Sequence, residues 1–244
     1  MHRFFVEYKI NSDQVEISDK NDVKHIVRAL RVQIGEKLEI CDLNGQEYVV
    51  EVESLDDTVL CRVLKKNEVS RESLVKVDLI QGLAKGSKME TIIQKCVELG
   101  VRDIVPLNTK RVIVKLDSKG EKKKLERWQK IADEAAKQSK RSYLPQIKEM
   151  VHINDLPSLL DNYDLVIVAY ELESSRSLKT ILKDEYKNIA IIIGPEGGFE
   201  TEEIDLLVNH GVHSTSLGPR ILRTETAGMM LLSIIQYQIG DVSM

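Results

Sequence analysis

The sequence predicts an α/β protein of two domains, a smaller β-rich domain over residues 1–72 and a larger α/β domain over residues 73–244. Two observations carry this prediction. β-rich segments fill most of the first 70 residues, and apolar strands alternate with amphipathic helices after residue 73. A hydrophilic stretch at 65–73 separates the two patterns and is typical of a linker.

The N-terminal elements are predicted to be strands with one short helix between them. Asn44-Gly45 is the dipeptide typical of a tight hairpin turn. We expect Asp22 to be the N-cap of a helix over VKHIVRAL. Together these elements predict a small barrel or sandwich. The β-rich segments are RFFVEYKI at 3–10, KLEICD at 37–42, EYVVEVESL at 47–55 and TVLCRVLKK at 58–66.

The C-terminal elements predict a largely parallel sheet covered by helices on both faces. Predicted strands are LVKVDLIQGL at 74–83, DIVPL at 103–107, DLVIVAY at 164–170 and IAIIIG at 189–194, and predicted helices lie at 89–100, 122–139 and 177–184. Ligands of such sheets bind beyond the carboxyl ends of the strands. This rule directs attention to three loops, at 169–175, 194–203 and 217–228.

The last predicted helix, AGMMLLSIIQYQIG, is apolar on nearly all sides. Such a helix must be buried, so we expect it to pack into the core or against a second subunit. Met229 and Met230 are interpreted as core residues rather than as cofactor ligands.

The net charge of −4 conceals an uneven distribution. Residues 85–148 hold 17 basic and 8 acidic residues, whereas residues 149–244 hold 6 and 15. The predicted helix Lys122–Ser139 places several cations on one face, namely Lys123, Arg127, Lys130, Lys137 and Arg141. This stripe indicates either a solvated lysine-rich face or a surface for nucleic-acid phosphates, and the helix alone does not decide between them.

Several classes of protein are disfavoured by composition. Cys41, Cys61 and Cys96 are widely spaced and never form a CxxC pair, so the sequence predicts neither a zinc site nor a disulfide framework. The longest aliphatic run, IAIII, is far shorter than the roughly 20 apolar residues of a membrane helix. The first ten residues also lack a signal peptide's apolar region. We therefore expect a cytoplasmic protein without metal.

GPEGG at 194–198 is predicted to follow a strand and precede a helix. Its spacing fits neither GxGxxG nor the phosphate-binding P-loop. Acidic residues at the helix start would repel a phosphate, and they are Glu196, Glu200, Glu202 and Glu203. A neutral or cationic ligand such as S-adenosylmethionine, which carries a sulfonium, fits better. The alternative is a tight turn whose acids complement the helix dipole.

These motifs together resemble the bacterial 16S ribosomal RNA uridine N3-methyltransferase family of the SPOUT superfamily. The resemblance spans the chain, and GPEGGF followed by LGPRILRTETA is its most specific part. The matching segments are RFFV, HIVRALRVQIGE at 25–36, GLAKGSKMETIIQKCVELGV at 82–101, ERWQKIADEAAKQSKR at 126–141, IIIGPEGGFETEE at 191–203 and LGPRILRTETAGM at 217–229. Ala29 departs from the branched aliphatic more common in the family.

The resemblance implies a PUA-like RNA-binding barrel over 1–72, a trefoil-knotted SPOUT methyltransferase domain over 73–244, and a homodimer. The implied substrate is 16S ribosomal RNA within the 30S subunit, and the implied cofactor is S-adenosylmethionine. By motif position, the cofactor would be held by Tyr170, Glu171, Gly194, Pro195, Gly198, Leu217, Gly218, Ile221, Leu222 and Arg223.

Three residues are candidates for the chemistry at uracil N3. Glu196 and Glu225 are candidate general bases, since a carboxylate in an apolar pocket can have a raised pKa. Arg223 is the leading candidate, as a stabiliser of negative charge on a uracil carbonyl. Each has a structural alternative: Glu196 as a helix cap, Glu225 as the partner of an arginine, and Arg223 as a brace for its loop.

Because N3 lies on the Watson–Crick edge, the uridine must be unpaired or flipped, and a separate surface must grip the RNA. His25 is also consistent with a buried, satisfied histidine. The candidates for this surface are Arg3, His25, Arg28, Arg31, Lys85, Lys88, Gln138 and Arg141.

Alternatives to this function stay open from sequence. They are a SPOUT enzyme acting on another RNA such as transfer RNA, and a non-catalytic assembly factor that binds ribosomal RNA. A Rossmann-type methyltransferase is disfavoured, because its glycine loop would follow the first strand of the domain rather than the late strand IAIIIG.

Overall fold

The computed structural model describes residues 1–68, 71–112, 118–173, 177–183 and 185–242. It contains two compact units. Unit N consists of residues 1–72 and 136–144, and unit C of residues 73–135 and 145–244. Unit N thus includes a segment that a single division at residue 72 leaves out. The physical reason is that the Glu72 carboxylate accepts hydrogen bonds from the backbone N–H groups of Ser142 and Tyr143.

Unit N is built on a five-stranded sheet with the order β1-β3-β4-β5-β2. Its strands are β1 (Arg3–Phe5), β2 (Gln14–Ile17), β3 (Lys37–Cys41), β4 (Glu47–Leu55) and β5 (Val59–Lys66). The predicted hairpin is present, since β3 and β4 are antiparallel and Gly45 between them has a φ of 74°. The prediction was a small barrel or sandwich. Among the described residues the strands pair in one sheet whose edges are β1 and β2, and no strand pairing closes it.

One short helical segment interrupts this sheet. Helix α1 (Lys20–Lys24) is capped by Asp19, whose side chain accepts hydrogen bonds from two backbone N–H groups of the first turn. The prediction of Asp22 as N-cap is therefore wrong by one turn, because Asp22 already has its own N–H bound by Asp19. A π-helical turn (His25–Leu30) follows and ends at Arg31, whose φ of 54° is left-handed.

Unit C contains a six-stranded sheet with the order β11-β9-β10-β6-β7-β8, in which every pairing is parallel. The strands are β6 (Lys76–Gly82), β7 (Ile104–Asn108), β8 (Val151–His152), β9 (Leu165–Ala169), β10 (Asn188–Ile193) and β11 (His213–Thr215). The predicted parallel sheet is confirmed. The short strands β8 and β11 carry too few residues to show a strand pattern in the sequence.

The helices that follow these strands are α2 (Lys88–Glu98), α3 (Ser118–Gln138), α4 (Leu178–Ile181), α5 (Thr201–Asn209) and α6 (Thr224–Gln238), with a 3-10 helix at Leu156–Asn162. Consecutive residues of the central strands are buried, as Leu79 and Ile80 on β6 show. Both sheet faces are thus covered, as predicted. None of the helices in the described residues has an apolar stretch long enough to span a bilayer.

Helix α6 is buried on one face only. Leu231, Leu232 and Ile235 are fully buried, and α6 packs against α2, β6 and β10. Met229 and Met230 are half-buried, and Tyr237 is 65% exposed. The prediction that α6 is buried is therefore confirmed for one face of the helix. Its apolar outer face is not fully buried within this chain.

Candidate functional site

Two adjoining clefts lie at the carboxyl ends of β9 and β10, beside the start of α6. Their cavity volumes are about 280 and 390 Å³, near the lower end of the roughly 300 to 1,000 Å³ of small-molecule sites. The first is lined by the loops after β9 and β11, and the second by the GPEGG loop after β10 and the first turn of α6. The residues lining both are Ala169, Glu171, Ile221, Leu222 and Ala227.

The GPEGG loop is a tight turn that only glycine permits at key positions. Gly198 has a φ of 68°, and its N–H donates to the Pro195 carbonyl over 3.0 Å. A Cβ on Gly194 would lie 3.0 Å from the buried ring of Phe199. The glycines therefore shape the loop, and they leave backbone rather than side chains along the cleft.

Close packing joins this loop to the end of β6. A Cβ on Gly82 would lie 2.4 Å from the backbone nitrogen of Pro195, so the two backbones pass in direct contact. The Thr224 hydroxyl donates to the Gly194 carbonyl over 2.6 Å and accepts from the Gln81 side-chain amide over 2.9 Å. Gln81 and Thr224 were not among the sequence-predicted residues, since their roles depend on contacts between distant segments.

Arg111 is a third residue of the site that was not predicted from the sequence. Its guanidinium donates to the Gly197 carbonyl over 2.9 Å and makes two hydrogen bonds to the Glu200 carboxylate. The hydrogen bond from Arg111 lowers the pKa of Glu200. An isolated arginine beyond β7 gave no motif to recognise, although its position at a carboxyl strand end was a usable signal.

The acidic residues at the start of α5 are bound locally. Glu200 and Glu203 form a capping box, and the buried Glu203 also accepts the Lys110 backbone N–H over 2.8 Å. Glu202 lies 3.7 Å from the Lys110 ammonium. The contacts of Glu200, Glu202 and Glu203 therefore agree with the structural alternative, in which these acids stabilise the start of the helix.

Glu196 faces α2 and is held by two donors. Its Oε1 accepts the Lys85 backbone N–H over 3.0 Å and lies 3.1 Å from the Lys88 ammonium. Burial by itself raises the pKa of Glu196, but the Lys85 N–H and Lys88 outweigh it, so the pKa is lowered. The expectation that its pocket raises the pKa is wrong for Glu196, which is a weak proton acceptor in this arrangement.

Glu225 and Arg223 line the same cleft as Glu196. Glu225 Oε2 is buried and accepts no hydrogen bond from the described residues. The Lys88 Nζ lies 3.9 Å from that oxygen, and Arg223 Nη1 lies 4.0 Å from Glu225 Oε1. The Arg223 side chain is 80% exposed. The three residues predicted for the chemistry are thus brought together at one cleft.

The ten residues predicted for the cofactor all line one or both clefts. The first cleft holds Tyr170, Glu171, Leu217, Gly218, Ile221 and Leu222. The second holds Glu171, Gly194, Pro195, Gly198, Ile221, Leu222 and Arg223. Ser174 and Ser175 of the predicted loop 169–175 lie outside the described residues. Three separate loops of unit C therefore converge at this site.

Two arginines predicted to contact RNA have structural roles instead. The Arg3 side chain has no exposed surface and is bound by Glu39 and Glu47 in unit N. Arg141 is buried, and its guanidinium binds Glu72 over 2.5 to 3.3 Å. Both predictions are wrong for one reason: these guanidinium groups are desolvated and committed to carboxylates of the same unit.

Other predicted RNA residues lie at the surface. Arg28, Arg31 and Gln138 are exposed in unit N, and Lys85 is exposed in unit C. His25 is half-buried, with its ring edge-to-face on Phe4 at 6.1 Å between centroids. Lys88 lines the second cleft.

The cations of the predicted basic stripe differ in their contacts. Lys137 lies 2.7 Å from Asp22, and Arg127 pairs with Glu90 on α2. Lys123 and Lys130 are exposed. Two cations of the stripe, Lys137 and Arg127, therefore already have carboxylate partners within the protein.

Comparison with known proteins decides the family. An RNA methyltransferase domain model matches residues 71–236, and an RNA methyltransferase PUA domain model matches residues 17–64. The ribosomal RNA small subunit methyltransferase E of Bacillus subtilis is 38% identical, over 98% of this chain and 97% of the relative. The chain belongs to the ribosomal RNA small subunit methyltransferase E family.

Solved structures of methyltransferases share this fold. A ribosomal RNA small subunit methyltransferase E from Neisseria gonorrhoeae, bound to S-adenosyl methionine, is 28% identical, with a TM-score of 0.88 and 99% of each chain covered. A putative methyltransferase from Legionella pneumophila, in complex with the cofactor SAM, is 33% identical, with a TM-score of 0.88 and 98% of each chain covered. The α/β fold with a PUA-like domain is thus that of this methyltransferase family.

Proposed function

We propose that this protein transfers a methyl group from S-adenosylmethionine to N3 of a uridine in 16S ribosomal RNA, with the 30S subunit as the assembled substrate. The observation that carries the proposal is the convergence of three loops of unit C on paired clefts that also hold Arg223, Glu196 and Glu225. The names of the relatives support the RNA substrate, and the SAM-bound neighbours support the cofactor.

The residues of the clefts fit the cofactor. A Cβ on Gly218, whose φ is 103°, would meet no atom of the described residues within 4 Å, so the first cleft is open to them at this position. Glu171 gives both clefts a carboxylate, which suits a cation better than a phosphate. When bound, the cofactor supplies an electrophilic methyl group on a sulfonium. The ten cleft residues named above would hold it.

Glu225 fits the role of proton acceptor better than Glu196. Uracil N3 keeps its proton at neutral pH, so a base must take that proton as the methyl group is accepted. Glu225 Oε2 has no hydrogen-bond donor among the described residues, whereas Glu196 Oε1 is bound by Lys85 and Lys88. The Arg223 guanidinium, exposed beside Glu225, would stabilise negative charge on a uracil carbonyl.

The larger architecture belongs to the same proposal. We assign unit C, which covers the predicted range 73–244 except residues 136–144, to the trefoil-knotted SPOUT domain. The backbone contact between Gly82 and Pro195 and the strand order β11-β9-β10-β6 support this proposal. The apolar outer face of α6, with Tyr237 exposed, supports a homodimer. A ribosomal RNA substrate would place the protein in the cytoplasm.

Residues 1–72 are assigned to the RNA-gripping domain, with Arg28 and Arg31 as phosphate contacts. Changing both to Ala should reduce the slope of log affinity for 16S ribosomal RNA against log salt by about 1.4 to 1.8, since each phosphate contact releases counterions. Cofactor affinity should not change. The matched control is Arg62→Ala, which removes an exposed cation already paired with Glu51. Equal salt slopes in the two variants would refute this assignment.

The function is tested by incubating the purified protein with labelled S-adenosylmethionine and, in separate reactions, with 30S subunits, 16S RNA, 23S RNA and transfer RNA taken from cells that lack the gene. We expect label in 16S RNA alone, and N3-methyluridine as the product by mass spectrometry of nucleosides. Label in transfer RNA only, or a different methylated nucleoside, would refute the proposal.

A further inference from the structure

Three side chains on one wall of the second cleft form a row of alternating charge. The Glu225 carboxylate lies between the Lys88 ammonium, 3.9 Å from Oε2, and the Arg223 guanidinium, 4.0 Å from Oε1. All three residues line the same cleft. A hydrogen-bond acceptor is therefore flanked by two donors, one beside each of its oxygens.

This row is assembled but not closed. Both distances exceed the 2.7 to 3.2 Å of a hydrogen bond, and Glu225 Oε2 is buried without a donor from the part of the chain that the structure describes. A buried carboxylate oxygen without a donor is costly, so it favours a ligand that brings an N–H or O–H group. Oε2 itself is enclosed, but the Glu225 side chain as a whole is 21% exposed and lines the cleft, so a donor in the cleft meets the exposed part of this carboxylate.

The Watson–Crick edge of uracil has the complementary pattern. It presents a carbonyl, the N3–H group and a second carbonyl, which is an acceptor, a donor and an acceptor. Cytosine presents an amino donor and an N3 atom without hydrogen, so its amino group would face a cation and its N3 lone pair would face the carboxylate. The row therefore accepts uracil and rejects cytosine by charge and hydrogen bonding.

We propose that Lys88, Glu225 and Arg223 read the Watson–Crick edge of the target uracil, with Lys88 as a specificity-determining residue that binds one ring carbonyl. This inference rests on the proposed function and deepens it. Glu196 is the positioning residue, because its Oε1 lies 3.1 Å from the Lys88 Nζ and is itself fixed by the Lys85 N–H over 3.0 Å. Lys88 is thereby held at the cleft instead of extending into solvent.

The test compares Lys88→Met, which keeps the length of the side chain but removes its charge, with Lys95→Met. Lys95 lies on the same helix and pairs only with Glu98 among the described residues, so it controls for the loss of a lysine from α2. The probes are full-length 16S ribosomal RNA with uridine at the methylated position and the same RNA with cytidine there. Dissociation constants are measured in the presence of S-adenosylhomocysteine, and kcat/KM is measured with the uridine RNA.

We expect Lys88→Met to lower the binding preference for uridine over cytidine by about 10- to 100-fold, the effect of one charge-assisted hydrogen bond. Lys88→Arg should restore part of the preference, and Lys95→Met should equal the wild type. S-adenosylmethionine affinity by calorimetry should stay within about twofold in all variants, which shows that the cofactor site is intact.

An unchanged preference in Lys88→Met would overturn the inference, as would an equal loss in Lys95→Met. If the wild-type protein methylates no uridine N3 of 16S RNA, the proposed function itself fails. If the wild type does so and Lys88→Met discriminates equally well, the proposed function stands and only the reading by Lys88 fails.

Discussion

The two ends of strand β6 differ in whether their buried polar groups have hydrogen-bond partners. At the amino end, the buried Asp78 accepts hydrogen bonds from the Arg102 guanidinium, the Tyr163 hydroxyl and the Asp103 N–H. At the carboxyl end, three residues further on, Gln81 Oε1 is buried and no described residue donates to it, and the same is true of Glu225 Oε2 on the adjoining α6. One end of the sheet satisfies its polar groups internally, and the other leaves acceptors for a ligand.

The pKa of Tyr163 agrees with this contrast. Burial raises the pKa of the Tyr163 phenol, and the nearby Asp78 carboxylate raises it further. The hydroxyl therefore stays protonated across the physiological range and keeps donating to Asp78. The amino-end cluster is a fixed structural group, which leaves the chemistry to the carboxyl end, in accord with the general rule for parallel sheets.

The largest effect that would sharpen this comparison is expected from Glu225→Gln. The amide keeps the shape of the side chain but cannot accept a proton, so kcat for 16S RNA methylation should fall by about 100- to 1,000-fold. The free energy of unfolding in urea should change by less than about 0.5 kcal/mol, because no hydrogen bond to the buried oxygen is lost. A large loss of stability with unchanged kcat would instead assign a structural role to the carboxyl end of β6.

Asp78→Ala is expected to lower stability and to leave ligand binding unchanged, the opposite of Glu225→Gln. It leaves the partly buried Arg102 guanidinium and the hydroxyl of the half-buried Tyr163 without their acceptor, so the free energy of unfolding should fall by about 3 kcal/mol. S-adenosylmethionine affinity, measured by calorimetry below the unfolding transition, should stay the same. Glu98→Ala is the control, since its exposed ion pair with Lys95 contributes less than about 1 kcal/mol. A selective loss of cofactor affinity in Asp78→Ala would contradict a structural role for the amino end of β6 and a ligand-binding role for its carboxyl end.

A smaller effect is expected from Gly218→Ala. Gly218 has a φ of 103° and lines the first cleft, so the new methyl group strains the loop and intrudes on the cofactor. S-adenosylmethionine should bind about 10-fold more weakly. Gly211→Ala, at a φ of 84° and away from both clefts, introduces similar backbone strain and should leave the affinity unchanged. Equal S-adenosylmethionine affinities in the two variants would show that Gly218 is needed for the conformation of its loop and not for cofactor binding.

The smallest effect concerns pH. The pKa of Glu196 is lowered in the folded state, so the carboxylate stabilises the fold above its ordinary pKa, and this contribution is lost as the pH falls through the lower folded value. Glu196→Gln should therefore lower stability at neutral pH by less than about 1 kcal/mol and flatten its decline below about pH 4.5. Urea titrations at several pH values measure this. A steeper decline in the variant would contradict the assigned direction.

Much of unit C was predictable because its signals are local. Apolar runs such as IAIIIG identified buried parallel strands, and the rule on carboxyl strand ends led to the three loops that meet at the clefts. Charged residues were harder to interpret. A sequence pattern places arginines at the surface, but Arg3 and Arg141 find carboxylates 36 to 69 residues away and become buried.

Local choices between equivalent residues were also beyond the sequence. Asp19 and Asp22 are both competent caps, and only the backbone angles at the helix start select Asp19. Gln14–Ile17 is too short and too polar to have been assigned as a strand before its pairing with β5 was known. Arg111 and Thr224 act through contacts that arise only when distant loops meet.

The composition of unit N from two separate stretches of chain has a consequence for synthesis on the ribosome. The Arg3 guanidinium donates to the carbonyl oxygens of Lys140 and Arg141 as well as binding Glu39 and Glu47. The first 72 residues therefore emerge long before these acceptors exist, by ~3 to 14 s at bacterial elongation rates. During that interval a nascent N-terminal sheet carries an incompletely paired arginine, and residues 73–135 of unit C must be translated before unit N can finish folding.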